Sequence, residues 1–271
     1  MPTSRPHFSD ARISYLDKNS QAEGLGPVVV GKNMSHEQYL EVAALEQVQH
    51  VIDLQHDCYP TLVSQSLELL TSPEAFFQNP MDTLLGHQKE NYSTKTWKFN
   101  SSQQKLGILE EIKLFLQNKK TPSIVTDNII LSCDEIYTNS VFNAPFAGEN
   151  STKCRQEHHE LDPGIFNEIA IGIADDSIGI YCTDQFGSLH AKKFIQHILD
   201  CQKNGLSDSM REQIDQGAGI GSFLIFTLCM NLYLGVKREC QTIVGLTFNT
   251  SRKRGLTNNS VKSIHLLSLN N

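Results

Sequence analysis

Three short stretches hold residues whose types and spacing could do chemistry. In CDEIYTNSVFNAP, Cys133 to Pro145, the residues Glu135, Asn139 and Asn143 follow at intervals of four, so on a helix they stand in one row. A carboxylate can take up a proton, and carboxylate and amide oxygens are the hard donors that hard cations prefer. Asn is a poor helix former that favours caps and turns, so two of them behind an acid call for a reason. The second stretch is DQFG, Asp184 to Gly187, at the end of an apolar run, and the third is GAGIG, Gly217 to Gly221, at the start of one. Each alone also has a plain structural reading: a solvated helix face, a turn, and a bend that lets a helix pack closely. GAGIG is not the dinucleotide fingerprint, because a polar segment rather than a strand precedes it.

The elements that would position these residues follow from periodicity. KTWKF (95–99) alternates, with Trp97 and Phe99 on one face, and reads as a strand. Ser101 and Gln104 fit a capping box, and Ile108, Leu109, Ile112, Phe115 and Leu116 follow at helical spacing. After a break at 119–122, a second helix is expected from about Ser123 to Asn143. Its inner stripe is Val125, Ile129, Cys133, Ile136 and Ser140, and the acid-amide row lies off that stripe. Residues 146–164 read as a polar surface loop. EIAIGIADDSIGIYCTDQFG (168–187) reads as a hairpin joined at Asp175–Ser177. AKKFIQHIL (191–199) is helical in pattern, and CQKNGLSDSMREQIDQ (201–216) is expected to be polar and mobile. From Gly217 to Val236 there is no charge over 20 residues, the length of a membrane span. Its three leading glycines, Ser222, Asn231 and the absence of flanking aromatic anchors favour a buried helix running into a buried strand. LYLGVKREC (232–240), TIVGLTF (242–248) and SIHLLSL (263–269) read as strands.

Upstream, residues 1–92 read as a smaller α/β region, regulatory or reduced receiver-like. It has strands at 26–32 and 50–54, helices at 36–48 and 59–70, and a partly helical connector after them. Residues 251–271 form a tail with a last strand. The division expected is 1–92, 93–250 and 251–271.

Taken in order, E-x-x-x-N on a helix, D-x-x-G after a strand and G-x-G-x-G opening a helix resemble the histidine-kinase-like ATPase superfamily over about residues 93–250. DEIYTNSVFNAP is most similar to the N box of anti-sigma-factor serine kinases, roughly D-E-x-x-x-N-A-x-x-H-A. The resemblance implies an α+β fold: a two-layer sandwich whose mixed sheet is covered by helices on one face. It also implies ATP and Mg²⁺ as cofactors. Asn139 would be the Mg²⁺ ligand and Glu135 the group that orients or deprotonates the attacking hydroxyl or water. Asp184 would accept the exocyclic amine of adenine and so exclude guanine, with Gly187 admitting the base and Thr242 supporting that site. Gly217, Gly219 and Gly221 would turn their N–H groups to the phosphates. Asn143 stands among the nucleotide-binding positions where the pattern has His, Ser140 where it has Ala, and the D-x-G-x-G box keeps a single glycine. These departures keep open a module that binds nucleotide without turning it over.

Bulk composition narrows the rest. The formal charge of −7 argues against nucleic acid, whose binders present a basic face. The seven cysteines, Cys58, Cys133, Cys154, Cys182, Cys201, Cys229 and Cys240, are scattered without C-x-x-C and read as reduced thiols of a cytoplasmic protein. The first residues lack the apolar core of a signal peptide. The expected function is a Mg·ATP-dependent protein kinase acting on Ser or Thr of a protein partner: a sigma factor, an antagonist or another signalling protein. The second reading is a nucleotide-binding interaction module, and the last a histidine-kinase fragment, for which the first 90 residues lack the dimerising hairpin. Related kinases dimerise, but no homodimer interface can be read here. Cys154, His158 and His159 lack a recognised zinc spacing, His36 lacks the helical hairpin of a phospho-accepting histidine, and Arg252–Arg254 reads as a solvated turn.

Overall fold

The alternating segments become strands of a mixed sheet in the computed structural model, which describes residues 8–19, 22–86, 92–145, 158–213, 220–250 and 262–269. In chain order the elements are β1 (Ile13–Asp17), β2 (Val28–Lys32), α1 (His36–Ala44), β3 (His50–Asp53), α2 (Tyr59–Thr71), α3 (Glu74–Gln78), α4 (Pro80–Leu85) and β4 (Ser93–Phe99). Then come α5 (Lys105–Asn118), α6 (Ser123–Thr138), a π-helical turn (Asn139–Asn143), β5 (Asn167–Ala174), β6 (Ser177–Asp184), α7 (Ala191–Gln213), α8 (Ile220–Leu228), β7 (Asn231–Lys237), β8 (Gln241–Asn249) and β9 (Ser263–Leu269).

Among the described residues the strands form one nine-stranded sheet in the order β1-β2-β3-β9-β7-β8-β6-β5-β4. β4 to β8 pair antiparallel, and β1, β2 and β3 pair parallel. β9 lies between the two sets, antiparallel to β3 and parallel to β7. Strands from 1–92, 93–250 and 251–271 thus share a single hydrogen-bonded sheet.

The period of two in each strand sends neighbours to opposite faces. One face meets α1, α5, α6, α7 and α8 in the main core, which holds Val29, Val51, Phe99, Ile169, Ile171, Ile178, Ile180, Leu232, Leu234 and Leu246. This is the expected α+β sandwich with its mixed sheet. The second face is covered as well, by α2, α3 and α4. Val28, Val30 and Ile52 pack with Tyr59, Leu62 and Val63, Tyr233 and Ile243 with Phe76 and Leu84, and Ala170 and Ala174 with Met81 and Leu85. Glycines let α4 come close: a Cβ on Gly172 or Gly179 would run into Met81 and Leu85.

Several local expectations change. ISYLD forms β1, a short edge strand of mostly half-buried residues whose alternation is too brief to stand out. The segment after Cys201 continues α7 as far as Gln213 instead of leaving the helix. Gln202, Lys203 and Asn204 are exposed, and Lys203 ties α7 to α1 through Glu41 at 2.6 Å and Glu37 at 3.8 Å. The helix expected to run to Asn143 is α-helical only to Thr138 and then widens into the π turn. The expected surface loop at 146–164 lies outside the described residues up to 157, and from it Glu160 bridges back to Ser101. The longest apolar helix of the uncharged run, α8, has nine residues, and no helix among the described residues is long and apolar enough to cross a membrane.

Candidate functional site

α6 is fixed to the sheet by its buried last turn. Tyr137 stacks on Phe99 of β4 with ring centroids 3.9 Å apart, and its hydroxyl donates to the Ser101 carbonyl at 2.7 Å. The π turn follows at once, closed by Ala144 N–H donating to the Asn139 carbonyl at 3.0 Å. Widening a turn frees carbonyls that need other donors. Asn167 Nδ2, at the start of β5, donates to the Ser140 carbonyl at 2.8 Å. Ser188 Oγ, in the loop after β6, donates to the Ala144 carbonyl at 2.8 Å. The two Asn residues therefore sit in a helix end whose backbone is pinned by both flanking elements.

The acid-amide row is a chain of hydrogen bonds. Asn143 Nδ2 donates to Asn139 Oδ1 at 2.5 Å, and Asn139 Nδ2 donates to Glu135 Oε1 at 3.0 Å. Residues four apart lie on one face of the helix, and the row continues from α6 into the π turn without a break.

Asp184 ends β6 opposite Thr242 of β8 in the register of the sheet. Its Oδ1 accepts from Phe186 N–H at 2.9 Å and Gly187 N–H at 3.4 Å. Asp184 is 7 % exposed, and burial pushes its carboxyl up to about 6 against the pull of those N–H groups. The Thr242 hydroxyl lies near enough to draw that value down, yet Oγ1 has no hydrogen-bond partner in a residue 3 % exposed. Because Thr242 lines a cavity beside Asp184, its hydroxyl is within reach of a ligand there.

Glu135, Asn139, Asn143, Asp184 and Thr242 line one partly open cavity of about 280 Å³ between α6, β6, β8, α7 and α8. That is at the small end of ligand sites and suits a nucleoside better than a whole nucleotide. Its walls are mainly apolar, with Ile136, Leu189, Phe194, Ile225 and Val244 around the polar groups. Cys182 also lines it, its thiol pushed up to about 12 by burial and so kept protonated.

The glycines divide. Gly221, at the start of α8, stands directly against Glu135, since a Cβ there would coincide with the carboxyl group. Gly187 does not line the cavity. It has φ +60° and packs against the β7–β8 turn, where a Cβ would strike the Lys237 carbonyl and the N–H groups of Glu239 and Cys240. Gly217 and Gly219 lie outside the described residues.

The opposite wall was not singled out from the sequence. Ser188, His190, Lys193, Phe194 and His197 bring the loop after β6 and one face of α7 to the cavity. The only available signal was the spacing of Lys193 and His197, one turn apart in a pattern that reads as a solvent face. The neighbouring Lys192 has a different task. Its Nζ donates to the carbonyls of Ala43, Leu45 and Val48 at 2.9, 2.5 and 2.5 Å, closing the end of α1. Burial lowers its ammonium to about 8.

No family model matches this chain, and no curated protein does. Among solved structures, a chain in the crystal structure of the SiaB-SiaC complex from Pseudomonas aeruginosa is similar, with a TM-score of 0.41 and 14% identity over 68% of this chain and 99% of that one. A likeness of that degree assigns neither family nor function, so any functional reading rests on the cavity.

Proposed function

We propose that the chain is an ATP-binding signalling protein that transfers the γ-phosphoryl group to a Ser or Thr hydroxyl of a partner protein. The observation that supports this reading is the convergence on one cavity of the Glu135–Asn139–Asn143 row with Asp184 and the unpartnered Thr242 hydroxyl. In this reading adenine lies at Asp184 and Thr242, its amine donating to the carboxylate and its ring between the apolar walls. Guanine would present a carbonyl to that carboxylate and be rejected.

The donor set fits Mg²⁺. Asn139 Oδ1 accepts one hydrogen bond, from Asn143, and keeps its second lone pair, with a carboxylate one turn away. Asn139 would hold the ion, which supplies charge screening for the phosphates. Glu135 takes the proton of the acceptor hydroxyl as its oxygen bonds to the γ-phosphorus and the bond to the departing ADP oxygen breaks.

A second reading, an interaction module that holds nucleotide without turnover, has its own observation: the one glycine of the DQFG turn is spent on packing against the β7–β8 turn and leaves the cavity wall to side chains. Calorimetric titration tests the shared core of both, with Mg·ATP and Mg·GTP on the wild type and on Asp184→Ala. ATP binding that GTP does not reproduce and the variant loses is the expected result; no ATP binding by the wild type defeats both. Phosphate transfer to a partner, abolished in Glu135→Ala, separates the kinase from the module.

A further inference from the structure

Two helices wall the cavity. Glu135, Asn139 and Asn143 line it from the side of α6, and Lys193, Phe194 and His197 line it from α7, at spacings of one and four that keep Lys193 and His197 on one helical face. The floor is made by Cys182, Asp184 and Thr242, all buried. Lys193 by contrast is exposed. It also lines a second cavity, of about 710 Å³, between the loop after β6, the β7–β8 turn and the end of β9, so it stands at the rim of the first.

Charge makes this position matter. Glu135 and Asp184 line the first cavity, and Lys193 is the single Lys or Arg among the described residues that do so. An anionic ligand beside two carboxylates needs a cation to offset them. Other lysines of α7 are committed elsewhere, Lys192 to three carbonyls and Lys203 to Glu41, whereas Lys193 forms no ion pair among the described residues. Independently, the buried, unpartnered Thr242 Oγ1 calls for a ligand on the floor. The cavity, at about 280 Å³, has room for a nucleoside there, so the phosphates of a nucleotide would extend toward the rim.

We propose that Lys193 is the phosphate-binding cation of this cavity, the residue through which it distinguishes a nucleotide from its nucleoside. The inference rests on the nucleotide reading and names the group that selects the charged ligand. An ammonium on a flexible stem is a point charge that can bond phosphate oxygens from several directions. The nucleoside itself, held at Asp184 and Thr242, makes no demand on it.

ADP and adenosine, each titrated calorimetrically into the full chain without divalent metal, test this on wild type, Lys193→Ala and Lys193→Arg, with circular dichroism to establish that each variant is folded. ADP is expected to bind about tenfold more weakly to Lys193→Ala, with adenosine unchanged and Lys193→Arg recovering most of the loss. Rising ionic strength should weaken ADP binding more in the wild type than in Lys193→Ala. ADP binding that is unchanged in Lys193→Ala, or that weakens there only as much as adenosine binding does, overturns the proposal and leaves the nucleotide reading standing. Adenosine binding without ADP binding by the wild type also overturns it. No binding of either ligand to the wild type overturns the nucleotide reading and the proposal together.

Discussion

Asp184 offers a test that needs no partner protein. Its carboxyl is held at about 6 by burial, so it is roughly one-tenth ionised at pH 5 and roughly nine-tenths ionised at pH 7. Only the ionised form accepts from the amine of adenine with both oxygens free of a proton. Adenosine, which has no group titrating in that interval, should therefore bind about tenfold more weakly at pH 5 than at pH 7. Asp184→Asn keeps a carbonyl oxygen for the Phe186 and Gly187 N–H groups and does not titrate, so the Asp184 contribution to the pH dependence should vanish and any remaining slope reports the other cavity groups, His190, His197 and Glu135. The same shift affects stability. The carboxyl lies at 3.8 when unperturbed and about 6 when folded, so the folded state holds the proton more tightly, and the contribution of this one group to stability declines as pH rises from about 4 to about 6. Asp184→Asn should then raise the unfolding free energy at pH 7, by on the order of 3 kcal/mol, the pattern of a group kept for function at the expense of stability. Isothermal titration at a series of pH values reads the first effect and urea unfolding the second. Adenosine binding by the wild type that does not change between pH 5 and pH 7 would refute the placing of the base at an ionised Asp184.

Gly221→Ala should destabilise the fold by about 2 kcal/mol through overpacking against Glu135, and by less than half of that in a Glu135→Ala background; equal costs in a urea-unfolding mutant cycle would mean the two residues do not touch. Lys262 is buried and its Nζ donates to the carbonyls of Phe226, Thr227 and Cys229 at 2.6, 3.3 and 2.6 Å. Lys262→Met leaves the end of α8 without donors and should cost about 3 kcal/mol, seen as a lowered melting temperature. His50 and His265 face each other, Nδ1 to Nδ1 at 3.0 Å, fully buried at the β3–β9 seam. Burial lowers His50 from 6.5 to about 3, and burial, then His50 and His56, lower His265. Both are neutral when folded, so their contribution to stability is complete above pH 6.5 and declines as pH falls below it, for His50 at up to about 1.4 kcal/mol per pH unit down to about 3. Urea midpoints that stay constant between pH 6.5 and pH 5 would contradict this.

Much of the architecture was written in local pattern. The apolar runs within 168–187, 232–240 and 242–248, broken by turn residues at Asp175–Ser177, mark β5 to β8, and strands covered on both faces read as near-continuous apolar runs. The stripes of α5 and α6 follow from the 3.6-residue turn, with Val125, Ile129, Cys133 and Ile136 all buried. The row at Glu135, Asn139 and Asn143 was visible for the same reason: four residues make about one turn. What local pattern could not carry was anything that depends on pairing across long separations. β9 enters between β3 and β7, and no property of SIHLLSL names those neighbours, since every apolar strand offers the same backbone groups. The second helical layer depends on glycines in β5 and β6 lying beneath Met81 and Leu85, a fit between surfaces nearly a hundred residues apart. The packing of Gly187 against the β7–β8 turn was not visible in DQFG. The π turn, the hydrogen bonds along the row and the wall from Ser188 to His197 likewise arise only on packing. Residue types and their spacing determined which groups were available for chemistry. Tertiary structure decided which of them meet, because a cavity is made by elements distant in the chain whose side chains come together only when the sheet closes.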